Sequence, residues 1–325
     1  MPGPPPVLGT LDPSAPSPFG RDSIVRTVVA QPVTALLVQR ALVMEVAHPA
    51  VAAGVEHHSR FQARPLRRAW ATADAAVRLV FGDDRVARGA ARQIYRVHDH
   101  IHGSLAVPAG PGQAGPGQAG PGQAGPGQAG VYGDPADVYT AHDASLLTWV
   151  WATLVDTAET AFTRWVRPFT AAEAESFHAE MRAFALFLGI PDVLVPGDRA
   201  AFAAYLSGML ADERLGTSAR SREVARQVLW FRHWSVPPPV VRLERALALA
   251  TLDARLGDRL GLDPGVDLAL GRRLDALLTE HYRRLPRFPS VLPGLYVGLR
   301  RPSIGLTQRL RTGHRRVVRA ELDEG

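Results

Sequence analysis

From Val33 to Val46 the chain reads VTALLVQRALVMEV, which is apolar almost all round when wound as a helix. A helix without a polar face cannot lie on a surface, so this one belongs at the centre of a bundle with neighbours on every side. Pro49 ends it. Between Val28 and Val55, Pro32, Arg40, Glu45, His48 and Pro49 interrupt the apolar run well short of about 18 uncharged residues, which predicts a buried helix pair and no membrane span.

The remaining order is helical too. A helix is predicted from Pro65 to Phe81, with Trp70, Ala73, Val77, Val80 and Phe81 as its apolar stripe and Gly82-Asp83-Asp84 as its stop. Another covers 85–102. A long core helix follows Tyr132, marked by Leu146, Leu147, Val150, Leu154 and Ala158 at helical spacing, with Trp149 and Trp151 adding bulk. Thr170 and Glu173 form a capping box that opens a helix running to Leu188-Gly189; further helices are predicted over 199–210 and 268–284. No series of period-two runs appears, so the fold class is all-α, a single large helical bundle. Residues 109–128 are four tandem copies of Ala-Gly-Pro-Gly-Gln, followed by Ala129-Gly130. With no apolar side chain larger than alanine, this stretch is expected to be a disordered Gly/Pro-rich loop inserted within one domain, because loop closure costs little as length grows. The expected organisation is a disordered leader over 1–22, a helical domain over 23–290 and a basic tail over 291–325.

Composition narrows the chemistry. The sequence has no cysteine, which excludes disulfides, thiolate catalysis, iron–sulfur clusters and Cys-ligated zinc; any metal must be held by nitrogen or oxygen. All 37 basic residues are arginine. The net charge is +6, but the arginines are scattered and no nucleic-acid partner is expected. No phosphate loop, GxSxG elbow or HExxH motif is present, and the N-terminus carries no signal-peptide pattern, so a cytoplasmic location is expected.

Three of the eleven histidines fall within Val97-His98-Asp99-His100-Ile101-His102-Gly103. On a helix, Val86, Ala90, Ile94, Val97 and Ile101 form one stripe, His98 lies at its edge, His100 faces solvent and His102 shares the face of His98. An inward imidazole at 98 is either a buried, hydrogen-bonded ring or a metal ligand. A strand would instead put all three rings on one face; the helical spacing of the preceding residues argues against it. One helix earlier, Arg68 and Thr72 stand at i and i+4 on a face with Ala75, Ala76 and Leu79, while Asp74 and Arg78 mark the face read as solvated. That small-residue surface with one cation and one hydroxyl would either admit a flat anionic ligand or be an exposed i,i+4 pair of no consequence.

The ordered set HPAVAAGVEHHSRF, RPLRRAWATADAAVRLVFG, VHDHIHG, YGDPADVYTAHDASLLTWVWATLVDTAETAF, LGIP and AAYLSGML resembles the MpaB and rubber-oxygenase (latex clearing protein) family, over roughly 28–210 and more weakly to about 289. The resemblance implies a b-type haem held by a helical histidine, matched by His98, and a functionally important Arg-xxx-Thr pair, matched by Arg68 and Thr72. The sequence also departs from that pattern. Ala71 stands where rubber oxygenases carry a distal lysine, Trp151 stands where the family often has histidine, and Glu56 is only a nearby candidate for the base. These departures argue against polyisoprene cleavage. The expectation is therefore a soluble haem-b (iron) oxygenase acting on an apolar small molecule with dioxygen, with an aromatic cavity that includes Trp149. The alternatives are a non-haem metal enzyme using His98 with His102 and His142 or Asp143, or a non-catalytic helical ligand-binding protein.

Overall fold

The computed structural model describes residues 8–12, 14–58, 65–105, 138–234, 236–263 and 265–284, without the side chains of 65–70 and 283. The repeat loop and the basic tail lie outside the described residues. Within them the chain is all-α, apart from one two-stranded antiparallel sheet.

Helix α1 (Ile24–Val29) leads through a 3-10 turn (Pro32–Leu37) into α2 (Val38–Ala47), and α3 (Pro49–His58) follows after a sharp bend of 110°. No single described helix is long and apolar enough to cross a membrane; the bent pair formed by Pro32–Ala47 and Pro49–His58 passes that test only jointly. Next come α4 (Pro65–Phe81) and α5 (Asp84–His98), then strands β1 (His102–Ser104) and β2 (Val138–Thr140), paired His102 to Thr140 and Ser104 to Val138. The second half comprises α6 (Ala144–Ala161) with a π-helical turn (Phe162–Val166), α7 (Ala171–Phe187), α8 (Arg199–Ala211), α9 (Ala219–Leu229), α10 (Pro238–Thr251), α11 (Ala254–Arg259) and α12 (Gly265–His281).

Helix α2 packs against α3, α6, α9 and α10, the central position its sequence requires. Its Arg40, read as an interruption, is buried: Nη2 donates to Asp156 Oδ2 at 2.6 Å, Nη1 to Thr157 Oγ1 at 2.8 Å and Nε to the Thr251 carbonyl at 3.1 Å. One guanidinium thus ties three helices together, its planar fork saturating acceptors that the apolar sequence pattern does not reveal. Helices α10 and α12 approach so closely that a Cβ on Gly271 would collide with the Ala246 carbonyl. The capping box of α7 forms as the sequence predicts, Thr170 Oγ1 accepting from the Glu173 N–H and the Glu173 carboxylate accepting from the Thr170 N–H. Burial aside, the Arg167 guanidinium and the Thr170 amide hold that carboxyl down at about 2.

Several expectations are corrected. Residues 8–12 and 14–22 are not a disordered leader: Phe19 is 3% exposed and stacks near Phe184, Leu8 and Leu11 pack on the same apolar cluster, and five long-range hydrogen bonds hold the backbone. Leu154 is exposed, because the two indoles decide the rotation of α6. Trp149 and Trp151 point into opposite core clusters, leaving Leu154 outside. Helix α5 stops at His98, four residues earlier than predicted, because Ile101 and the residues after it find a strand partner from beyond the insertion.

Candidate functional site

Helix α5 is capped by Asp83, whose carboxylate accepts from the Val86 N–H at 3.0 Å, and this sets the phase of the helix. The buried line runs through Ala87, Ala90 and Ala91, with Ile94, Tyr95 and His98 partly buried below them, while Val97 is 54% exposed. The predicted stripe through Val97 and Ile101 is thus rotated by about one residue. Alanines let α5 pack closely, and close approach outweighs the pull of a single valine. The rotation carries His98 from the edge of the buried face onto it.

Three neighbours define the surroundings of His98. The His142 ring packs edge-on at 6.1 Å between centroids, and Tyr95 lies one turn back with its own ring 5.6 Å from His142. His142 Nε2 donates to Asp99 Oδ1 at 2.8 Å. The Nδ1 atom of His98 is shut off from solvent and has no hydrogen-bond partner. Burial, followed by the neighbouring His142 and opposed by Asp99, lowers its pKa to about 4. The ring is therefore neutral at physiological pH, with a nitrogen held out of water and left free. That is the form of imidazole that binds a metal ion.

The other predicted residues fall as follows. His100 is exposed, as the helical phase predicts. His102 is exposed on β1, so it shares no helical face with His98; its carbonyl accepts from His58 Nε2 at 3.1 Å. Asp143 caps α6 through the Ser145 and Leu146 amides. Among the described residues no three His, Asp or Glu side chains come together as a metal-holding group, so the arrangement assumed for a non-haem centre built on His98 and His102 is not formed there. The Arg68 side chain lies outside the described residues. Thr72 is exposed, as are Ala71 and Ala73, whereas Arg78 on the face read as solvated turns inward and donates to Gln93 at 3.0 Å across α4 and α5. The predicted faces of α4 are corrected in part: Val80 and Phe81 of the apolar stripe pack into the core as expected, while Ala73 is exposed and Leu79, read on the Arg68/Thr72 face, is buried. Trp149 is fully buried, but its Nε1 donates to the Met44 carbonyl at 3.1 Å in the α2 core, away from the cluster that includes Ile94. Glu56 pairs with Arg220 at 2.5 Å. Trp151 donates to the Met181 carbonyl at 2.8 Å and stands edge-on to Phe202.

Sequence reasoning missed the His142–Asp99 couple as a unit. The two residues are 43 apart in the chain and meet only because β1 and β2 pair, so no local spacing announces them. An open cleft of about 690 Å³ at α6 and α8 contains none of the predicted residues, and two of its carboxylates are already engaged, Asp156 by Arg40 and Glu159 by Arg199.

A family model described as "ER-bound oxygenase mpaB/B'/Rubber oxygenase, catalytic domain" matches residues 26–288. The chain belongs to this family. No curated protein and no solved structure matches it. The match spans α1 through α12, so the helical body as a whole is an oxygenase catalytic domain, and a small-molecule substrate with oxygen follows at that coarse level.

Proposed function

We propose that this mpaB/rubber-oxygenase domain is a cytoplasmic, haem-b-dependent oxygenase of an apolar small molecule, with His98 as the residue that would hold the haem iron. The observation that carries the reading is the unpartnered, buried Nδ1 of a neutral His98, at the motif position where the family resemblance puts the ligand. A buried ring nitrogen without a partner costs about 1–3 kcal/mol, a cost that binding to iron would offset. Among the described residues, His98 is the one that would hold the group. When bound, haem supplies the iron that reacts with dioxygen. The chain's own part is narrower. His98 would hold the iron, the His142–Asp99 couple would fix the wall beside it, and the cluster containing Ile94 and Leu147 keeps that side of α5 apolar. Arg68 is proposed to pair with a propionate or orient the substrate, and Thr72 to act beside it on α4.

The test is the absorption spectrum of full-length protein produced with haem supplied. A stoichiometric Soret band is expected in the wild type and in His100→Ala, and none in His98→Ala, since one ring faces inward and the other faces water. No band in the wild type, or loss in His100→Ala with retention in His98→Ala, would sink the assignment.

A further inference from the structure

The segment before α1 runs along the side of α5 that carries Tyr95 and His98. The Leu8 N–H donates to the His142 carbonyl at 3.0 Å, the carbonyl of the very residue whose ring packs on His98. One residue on, the Gly9 N–H donates to the Gly189 carbonyl at 2.8 Å. The Tyr95 hydroxyl lies between the Gly9 carbonyl at 2.9 Å and the Leu188 carbonyl at 2.8 Å. Farther along, Arg88 Nη1 donates to the Ala15 carbonyl at 2.6 Å, the Ser17 N–H donates to Asp84 Oδ1 at 2.9 Å, and Phe19 closes the segment by burial. Between the anchors the chain is mostly exposed: Gly9, Thr10, Asp12, Ser14 and Pro16 all face solvent. A segment held at one end by a few hydrogen bonds and the half-buried Leu8 and Leu11, and at the other by a buried aromatic ring, opens more readily than the body it lies on.

Gly189 is the latch of this arrangement. It sits just past α7 with φ +77°, a conformation that favours glycine, and a Cβ there would collide with the Tyr95 hydroxyl and come within 2.7 Å of the Gly9 carbonyl. The backbone can therefore approach Tyr95 and Gly9 together only if no side chain intervenes.

We propose that residues 8–12 and 14–19 form a strap that closes over the His98 side of α5, hinged at Phe19 and latched at Gly9 by Tyr95 and Gly189, so that a ligand reaches His98 only when the latch opens. The strap rests on the reading of His98 as the group that the site presents to its ligand, but its test does not need haem.

Full-length, haem-free protein is treated with diethyl pyrocarbonate, and carbethoxylation of individual histidines is followed by peptide mass spectrometry. His100 on the same helix end serves as the exposed reference. Three proteins are compared: the full chain, a chain lacking residues 1–15 that keeps Ser17 and Phe19, and full-length Gly189→Ala. The expected result is slow labelling of His98 relative to His100 in the full chain, and severalfold faster labelling of His98 in both variants with the His100 rate unchanged. Equal His98 rates in the full and shortened chains, at the same helical circular dichroism, would overturn the strap. Should the shortened chain lose its helical signal, Gly189→Ala decides alone, and an unaltered His98 rate there overturns the strap equally. A missing Soret band would end the haem reading and leave the labelling result standing, so the two failures are distinguishable.

Discussion

Arg40 and His98 both turn inward in this protein, and they are treated in opposite ways. In the half built around α2, α6 and α10, Arg40 is buried with acceptors for Nε, Nη1 and Nη2 drawn from two side chains of α6 and a carbonyl of α10. At the C-terminal end of α5, His98 is pushed inward and its Nδ1 is left with nothing. A satisfied buried polar group is structural, because its hydrogen bonds offset its desolvation; an unsatisfied one is a standing cost that folding alone does not explain. Glycines repeat the contrast. Gly271 is wedged against the backbone of α10, while a Cβ on Gly89 of α5 would meet only a flexible arginine end at 3.5 Å. The first region is packed backbone against backbone, whereas α5 would take a methyl at Gly89 in ordinary van der Waals contact.

Substitutions that respect shape but remove polarity sharpen this comparison. The largest effect is expected for Arg40→Leu, which strands Asp156 and the Thr251 carbonyl. A loss of about 3 kcal/mol in urea unfolding is expected, and a loss below about 1 kcal/mol would show that the pair is not the tie described. Gly271→Ala should follow with a loss of about 2 kcal/mol from overpacking α10 against α12, read from the same transition. His98→Leu in haem-free protein should go the other way, neutral or stabilising by about 1 kcal/mol, because it removes an unpartnered buried nitrogen. A clear destabilisation by His98→Leu would mean that the ring has a partner and would erase the contrast with Arg40. The smallest effect is expected at Gly89→Ala, a gain of about 0.5 kcal/mol from helix propensity alone; a loss would mean that α5 is packed as tightly as α10.

Much of this fold is legible without coordinates. The all-round apolar run 33–46 requires the central position that α2 occupies, Pro65 and Gly82 bracket α4, and the Thr170-xx-Glu173 spacing announces its own cap. The inward turn of His98 is legible as well, although its phase is one residue off. What local pattern does not carry is the identity of partners. Alanine packing sets the face of α5, and alanine scarcely registers as apolar beside a valine. A three-residue strand such as His102–Ser104 has no signature until Val138–Thr140 lies next to it. Thr72 shares its predicted face with Leu79, yet Thr72 is exposed and Leu79 is buried, a difference that spacing within α4 does not announce.

The sequence by itself determined the class of the fold, the central helix, the helix boundaries written in proline, glycine and capping residues, and the histidine to examine, since all of these depend on interactions within a few residues. Only the tertiary structure decided that Arg40 is hydrogen-bonded through all three of its guanidinium nitrogens, that His142 and Asp99 form a couple beside His98, that Trp149 belongs to a different core, and that residues 8–12 and 14–19 lie along the site. Each of these joins groups 43 to more than 200 residues apart or depends on which face a packed helix turns inward, and the free energy that settles such matters is not present in any local stretch of chain.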